Sequence, residues 1–404
     1  MKKFTTSLLL LVFSLIAFQA MSQSNCFQDQ AGIWVQANGS PCVNSIITAV
    51  PFLRIVPDAR SGAMGDVGVA ISPDANSIHY NASKLAFAEK DISVSATYTP
   101  WLRALGIPDV YLAYLSGYKQ IDDISTIGLS LRYFSLGDIA FTDENGGSLG
   151  NGRPNEFEVA VAYARKLSPK LSVSVTPKFI YSNLAGGQSV NNIEITPGIA
   201  GAADFSLSYK TPIKMKGKES DLSLGLAVSN LGTKISYTKS INKDFIPANL
   251  GLGAAYNIQI DEFNSITFAA DVHKLLVPTP CQGEDCDSDG NGIPDYKEQS
   301  MFRGVLSSFS DAPGGFSEEM RELMFSMGVE YWYDQQFAVR AGYYSEHATK
   351  GNRKFFTVGL GLKYNIFGLN FSYLVPTTNQ RNPLDNTLRF TLLFDFGAFA
   401  PDEE

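Results

Sequence analysis

No apolar run in these 404 residues is long enough to cross a bilayer as a helix; the longest, Leu8 to Phe18, falls short of the roughly 20 residues needed. Charge is also sparse, at 18% of residues, and its surplus is acidic, with a formal net charge of −8. No Lys/Arg cluster offsets that balance, which argues against nucleic acid as a partner. Only His79, His273 and His347 could serve as imidazole bases. There is no P-loop, zinc-type Cys/His spacing or dinucleotide fingerprint. No linker, charge block or low-complexity tract divides the chain. Aromatics, by contrast, abound: 27 Phe and 18 Tyr exceed what a disordered chain carries, and the chain reads as one large all-β protein.

Lys2 and Lys3 precede the apolar stretch, and Ala20-Met21-Ser22 places small residues three and one before a cut. This is the layout of a secretory signal over residues 1–22, cleaved before Gln23. Cys26 follows Gln23-Ser24-Asn25, which is not a lipoprotein-type box. Removing Lys2 and Lys3 leaves 30 basic against 40 acidic residues, in a compartment where disulfides persist. The four cysteines allow three connectivities. Cys26/Cys42 and Cys281/Cys286 are the expected pairs, because each closes a short loop.

From residue 91 onward the pattern has period two. Leu222, Leu224, Leu226 and Val228 alternate with Ser223, Gly225, Ala227 and Ser229; Leu388, Phe390, Leu392, Phe394 and Phe396 alternate with smaller or polar residues. A soluble sandwich would alternate too, so the placement of charge is the more telling feature. Arg132, Glu158, Lys178, Asp271, His273, Arg340, Lys363, Arg389 and Asp395 all share parity with Gly, Ser, Ala or Thr. A small-residue face carrying scattered charge suits a crowded lumen, with the apolar face turned to lipid.

About fourteen strand segments start near residues 91, 109, 124, 155, 170, 198, 220, 246, 264, 322, 336, 354, 369 and 387. Connections after odd-numbered segments are mostly long, one spanning about 277–321, and those after even-numbered segments are short. That alternation, with an even count that lets the sheet close, predicts a transmembrane up-and-down β-barrel of about 14 antiparallel strands over 91–396. Tyr98/Trp101 and Tyr331-Trp332-Tyr333 fall where aromatic girdles belong. Residues 23–90 lack alternation and are expected to plug the lumen as a hatch; 397–404 form a C-terminal tail.

The stretch Arg60-Ser61-Gly62-Ala63-Met64-Gly65, followed by Tyr80-Asn81-Ala82-Ser83-Lys84-Leu85, resembles the N-terminal signature of FadL-type outer-membrane proteins. The second element departs from that signature, with Ala82-Ser83-Lys84 where the family has Pro-Ala-Gly. Pro51 to Arg60 narrows the resemblance to PorV-type barrels of the type IX secretion system. The resemblance implies a bacterial outer-membrane adaptor or shuttle without enzymatic activity. Its implied partners are the giant translocon barrel, the C-terminal signal domains of secreted cargo and an attachment complex containing the sortase-like PorU, with outer-membrane lipid around it. Two other readings are a FadL-like transporter of hydrophobic small molecules and a lipid A deacylase.

Within the long loop, Asp287-Ser288-Asp289-Gly290-Asn291-Gly292-Ile293-Pro294-Asp295-Tyr296-Lys297-Glu298 fits a twelve-residue calcium loop. Asp287, Asp289, Asn291, the Ile293 carbonyl, Asp295 and Glu298 would be the ligands of a structural Ca²⁺. Four carboxylates so close in sequence repel one another without a cation; an acidic loop stiffened by a disulfide is the plainer alternative. After it, Met301, Phe302, Val305, Leu306 and Phe309, and then Met320, Leu323 and Met324, recur at helical spacing. Such helices can cover the barrel mouth or dock on a partner. His273, on the inward parity two residues from Asp271, is the one place where lumen chemistry could be sought, and it reads first as a satisfied lumen residue.

Overall fold

The computed structural model describes residues 27–28, 34–35, 42–103, 106–142, 146–185, 188–190, 193–215, 218–238, 243–281, 286–377 and 387–397. The expected signal segment, Cys26 and all of the C-terminal tail beyond Gly397 lie outside these. Fourteen strands form the wall: β1 (Ile92–Pro100), β2 (Val110–Asp122), β3 (Ser125–Leu136), β4 (Asn155–Ser168), β5 (Leu171–Asn183), β6 (Gly198–Met215) and β7 (Lys218–Gly232), then β8 (Asn249–Gln259), β9 (Asn264–Leu275), β10 (Met324–Tyr333), β11 (Phe337–Ser345), β12 (Lys354–Tyr364), β13 (Phe367–Pro376) and β14 (Leu388–Phe396). Each pairs antiparallel with its sequence neighbours, and β14 closes on β1 from Phe390↔Tyr98 to Phe396↔Ile92. Closure leaves no edge to face hydrocarbon. Among the described residues no helix is long and apolar enough to cross a membrane; the crossing is made by strands.

The two faces of each strand differ as the alternation predicts. In β1, Ser93, Ser95, Thr97 and Thr99 are buried while Val94 and Tyr98 face out. In β12, Phe356, Val358, Leu360 and Leu362 are exposed on the outside, while Phe355 and Thr357 are buried within. A belt of bare Leu, Phe and Val around the whole wall is stable only against acyl chains.

Two-residue turns at Asp123-Ile124, Pro169-Lys170 and Asn365-Ile366 mark one end of the barrel. At the turn after β10, Asp334 and Gln335 both sit at φ +51°, the left-handed pair of a tight hairpin. The opposite end carries the connections 137–154, 233–248 and 276–323. The long-loop end is the cell exterior and the short-turn end the periplasm.

The girdle differs from expectation. Tyr98 and Tyr333 do face outward. Trp101 instead turns in and packs edge-on to Phe134, with ring centroids 5.2 Å apart, and Trp332 lies inside beneath the Arg340 guanidinium at 5.3 Å. Period two decides the direction for Trp332, which shares parity with Glu330. Trp101 has left the strand and follows the upper interior cluster around Phe52, Leu112 and Phe134.

Residues 42–90 of the N-terminal segment fill the lumen with two short helices, α1 (Ala59–Gly62) and α2 (Ser77–Tyr80), and 3-10 turns at Pro51–Arg54 and Ala82–Phe87. Its path runs from exterior to periplasm. The Asn44 side chain donates to the Pro280 carbonyl and Glu318 in an exterior loop, Arg60 meets the wall deep inside, and the Ala88 carbonyl accepts from Gln120 near the periplasmic end of β2. Small wall residues make room at the bottom, where Ala160, Ala162 and Ala164 of β4 pack against Ile78 and Leu85.

Candidate functional site

Three sets of residues define the interior and the exterior surface. The first pins the plug. Arg60 forms a two-pronged pair with Glu330 of β10, Nε–Oε2 2.9 Å and Nη2–Oε1 2.8 Å, and a third contact to Asp74 at 3.1 Å. Glu330 also accepts from Arg340 Nε of β11 at 2.6 Å, and Arg340 Nη1 donates to Asn370 of β13 at 2.9 Å. Ala63-Met64-Gly65 then lies flat on the wall. Gly65 has φ +70°, and a Cβ on Gly342 would overlap the Met64 carbonyl carbon and the Gly65 nitrogen. Both glycines are there because backbone passes backbone. Asp271 Oδ2 accepts from the amides of Gly68 and Val69 at 2.7 and 2.9 Å. Lower down, the Asn81 amide donates to the Val69 carbonyl at 2.9 Å and to Ser208 Oγ at 3.0 Å, while its oxygen caps the Ser83 amide. These contacts explain why the Arg60–Gly65 and Tyr80–Leu85 stretches stand out in the sequence: each fastens the plug to the wall.

The second set borders a cavity of about 100 Å³ between plug and wall, lined by Asp66, His79, Tyr80, Lys178, His273 and Arg353 among others. Lys178 is itself held by Asp204 at 2.7 Å and Asn230 at 3.0 Å. His79 touches the Arg132 guanidinium, which also donates to the Phe52 and Leu53 carbonyls. His273 does reach the lumen, yet its Nε2 stays 3.9 Å from Asp271, whose carboxylate is occupied by plug amides; its Nδ1 faces the Asn249 amide at 3.1 Å. The 3.9 Å from His273 Nε2 to Asp271 is too long for a hydrogen bond. At this level the interior is a polar, ion-paired filling, with room for a few waters.

The third set is the exterior connection 276–323. Its base is closed by a Cys281–Cys286 disulfide. Cys42, at the top of the plug, is also disulfide-bonded, while Cys26 lies outside the described residues. The loop brings the calcium-type residues together around Asn291. The Asn291 N–H lies 3.1 Å from both Asp287 Oδ1 and Asp289 Oδ1, and its Nδ2 donates to Asp289 at 2.9 Å and Glu298 at 2.8 Å. Asp295 accepts from the Ser288 amide, and the Ile293 amide donates to Asn291 Oδ1. The Gly292 N–H holds the Asp287 carboxyl below the usual range. Among the described residues no three His, Cys, Asp or Glu side chains converge as a cation cage.

Three short helices follow: α3 (Asp295–Glu298), α4 (Met301–Ser307) and α5 (Phe316–Arg321). Met324, grouped with the second helix by its spacing, instead opens β10 and is buried. The loop is clamped by charge. Lys274 at the top of β9 meets Glu319 at 2.9 Å and Glu322 at 2.6 Å; Lys350 meets Glu318 at 2.5 Å and Glu322 at 2.9 Å. Lys297 pairs with Asp244 at 2.8 Å, tying α3 to the neighbouring loop. Gly304 of α4 nests against Phe245 and Pro278. With charge turned down to the rim, the apolar side chains of α4 stay bare, Phe302 and Leu306 each 74% exposed, while Phe316 of α5, 80% exposed, lies beside Leu252 and Val272 of the outer wall. This is an inverted amphipathic surface.

The family described as Type IX secretion system protein PorV matches residues 39–282, more than half of the chain. The chain belongs to the PorV family. It is therefore an outer-membrane component of the type IX secretion system. The PorV match covers the described plug and the first nine strands and ends at the disulfide, so Asp287–Glu298, α4 and α5 lie beyond it. No curated protein matches the chain in sequence. Among solved structures, the chain is similar to a deltaS2 mutant of the TodX monoaromatic hydrocarbon channel (13% identity, TM-score 0.47, covering 84% of this chain and 98% of that one). It is also similar to the Ralstonia pickettii toluene transporter TbuX (10%, 0.47, 84% and 98%) and to a Pseudomonas aeruginosa FadL homologue (10%, 0.41, 88% and 100%).

The Lys274–Glu319–Glu322–Lys350 clamp escaped the sequence reading. Lys274 carried the signal: it shares parity with the outward Phe268 and Val272 of β9, so it needed a covering partner.

Proposed function

We propose that this PorV-family barrel is the adaptor that its resemblance implies. It binds the giant translocon barrel, receives cargo through its C-terminal signal domain and passes it to the attachment complex containing PorU. The observation that supports this is the exterior loop, clamped to the rim by ion pairs while Phe302 and Leu306 of α4 stand exposed. A loop serving only its own barrel mouth would bury those side chains; a docking surface displays them. We further propose that Asp287, Asp289, Asn291, the Ile293 carbonyl, Asp295 and Glu298 hold a structural Ca²⁺, a hard cation that takes oxygen donors of this kind, which stiffens the platform beneath α4.

The test is co-purification from native membranes. Wild-type protein carries a giant barrel or exported cargo with it, and Phe302→Asp with Leu306→Asp lowers that recovery about tenfold while the barrel stays folded in the membrane. Equal recovery from wild type and the doubly substituted protein overturns the adaptor reading. Fatty acid bound inside the purified barrel would instead support hydrophobic transport, and acyl release from lipid A would support a deacylase.

A further inference from the structure

Outside the barrel, α5 leans over the wall and leaves a groove of about 230 Å³ between loop and strands. Leu250, Leu252 and Val272 form its wall side; Phe309, Phe316 and Met320 form its loop side. Leu250 and Leu252 are the second and fourth residues of β8, and Val272 lies three residues from the end of β9, so the groove sits at the exterior edge of the apolar belt. Leu252 and Val272 share outward parity with Phe268 and Ala270 of that belt, and nothing polar separates the groove from it.

From this we infer that the groove is a seat for one acyl chain of an outer-leaflet lipid. Its wall side is part of the surface already turned to hydrocarbon, so a neighbouring lipid tail reaches it by sliding along the barrel, whereas a soluble segment would have to displace lipid first. Lys274, the ammonium bordering it, is paired with Glu319 at 2.9 Å and Glu322 at 2.6 Å, and His273, which also borders it, turns its Nδ1 to the Asn249 amide. Among the described residues no unpaired ammonium or guanidinium borders the groove for a phosphate or carboxylate, and recognition falls to methylene contacts. The same pairs set the height of α5 above the wall, so the ionic clamp and the lipid seat are one construction. Phe316 and Met320, exposed when the protein is alone, are covered once the chain is seated. The inference stands apart from the adaptor reading, since α4 and its Phe302/Leu306 face play no part in it.

The test uses the full-length protein in phosphatidylcholine vesicles containing a phosphatidylcholine with a diazirine on its acyl chain. Photolysis is expected to label α5 at a level comparable to the lipid-facing Phe356–Leu362 segment of β12, and to leave α4 unlabelled. After extraction into detergent, native mass spectrometry should find the phospholipid retained by wild type and about tenfold less by Phe316→Ser/Met320→Ser. Leu252→Trp, which fills the groove from the wall and leaves α5 intact, gives the same loss should the double variant disturb the loop. Absence of label on α5, retention equal in all three proteins, or cross-linking of α5 to a co-purified protein instead of lipid would overturn the inference.

Discussion

Glu330 holds two guanidinium groups at once, and this makes its removal more damaging than the removal of either partner. Replacing a buried arginine of the trio leaves a carboxylate that still has one cation. Glu330→Gln leaves Arg60 and Arg340 facing each other in a filled lumen, a situation that costs about 3–5 kcal/mol. Denaturant unfolding in micelles should therefore show a larger loss of stability for Glu330→Gln than for Arg60→Met, which keeps the Glu330–Arg340 pair; the reverse order would refute the pinning role. Parity alone places Arg340 on the inward face, and Arg60 stands within the family-like stretch. Nothing in the sequence joins them, because Arg60 and Glu330 are 270 residues apart and only closure of the sheet brings them together.

The 276–323 connection is the element whose behaviour depends most on solution conditions. Millimolar Ca²⁺ is expected to protect its backbone from proteolysis in the wild type and to do nothing for Asp289→Ala, since extracellular sites of this class bind at about 10⁻⁴–10⁻³ M. A calcium effect that survives in the variant would retire the site. Acid acts on the same element. Burial raises the Glu318 carboxyl, but the Lys350 ammonium outweighs it and the net position is lowered; the Gly292 N–H lowers Asp287. Groups depressed in the folded state stabilise it above their unfolded values and lose that contribution as pH falls through the folded ones. Asp311, raised by burial, works in the opposite sense as a single group against two. Protease sensitivity of the loop should thus increase below about pH 4, and a profile flat from pH 7 to pH 3 would contradict the clamp. The helices were legible from the spacing of Met301, Phe302, Val305 and Leu306. Which way they faced was not, because direction depends on Glu318, Glu319 and Glu322 finding lysines contributed by two separate parts of the barrel.

At the scale of the whole barrel, the strand count and the alternation of long and short connections were legible because a lipid-facing wall admits one residue class on each side. The tryptophans were less so: Trp101 and Trp332 sit near strand ends, as girdle residues do, but interior partners decide their direction. The route of the plug was not legible at all, since irregular chain carries no period. That route yields a topological prediction. Val43 and Ile47 are exposed at the top of the plug, among the exterior loops. A Val43→Cys protein should react with a membrane-impermeant maleimide on intact cells, and reaction only after lysis would invert the assigned orientation.

The same route constrains assembly. Residues 42–50 stand at the outer rim and the first wall strand begins at the periplasmic floor, so the chain runs down the whole lumen before the wall starts. The seam between β14 and β1 encloses Arg60 and Met64 against β10 and β11, and a plug laid on a still-open sheet meets those partners without passing through a finished cylinder. On that route the plug is the mandrel around which the wall is wound.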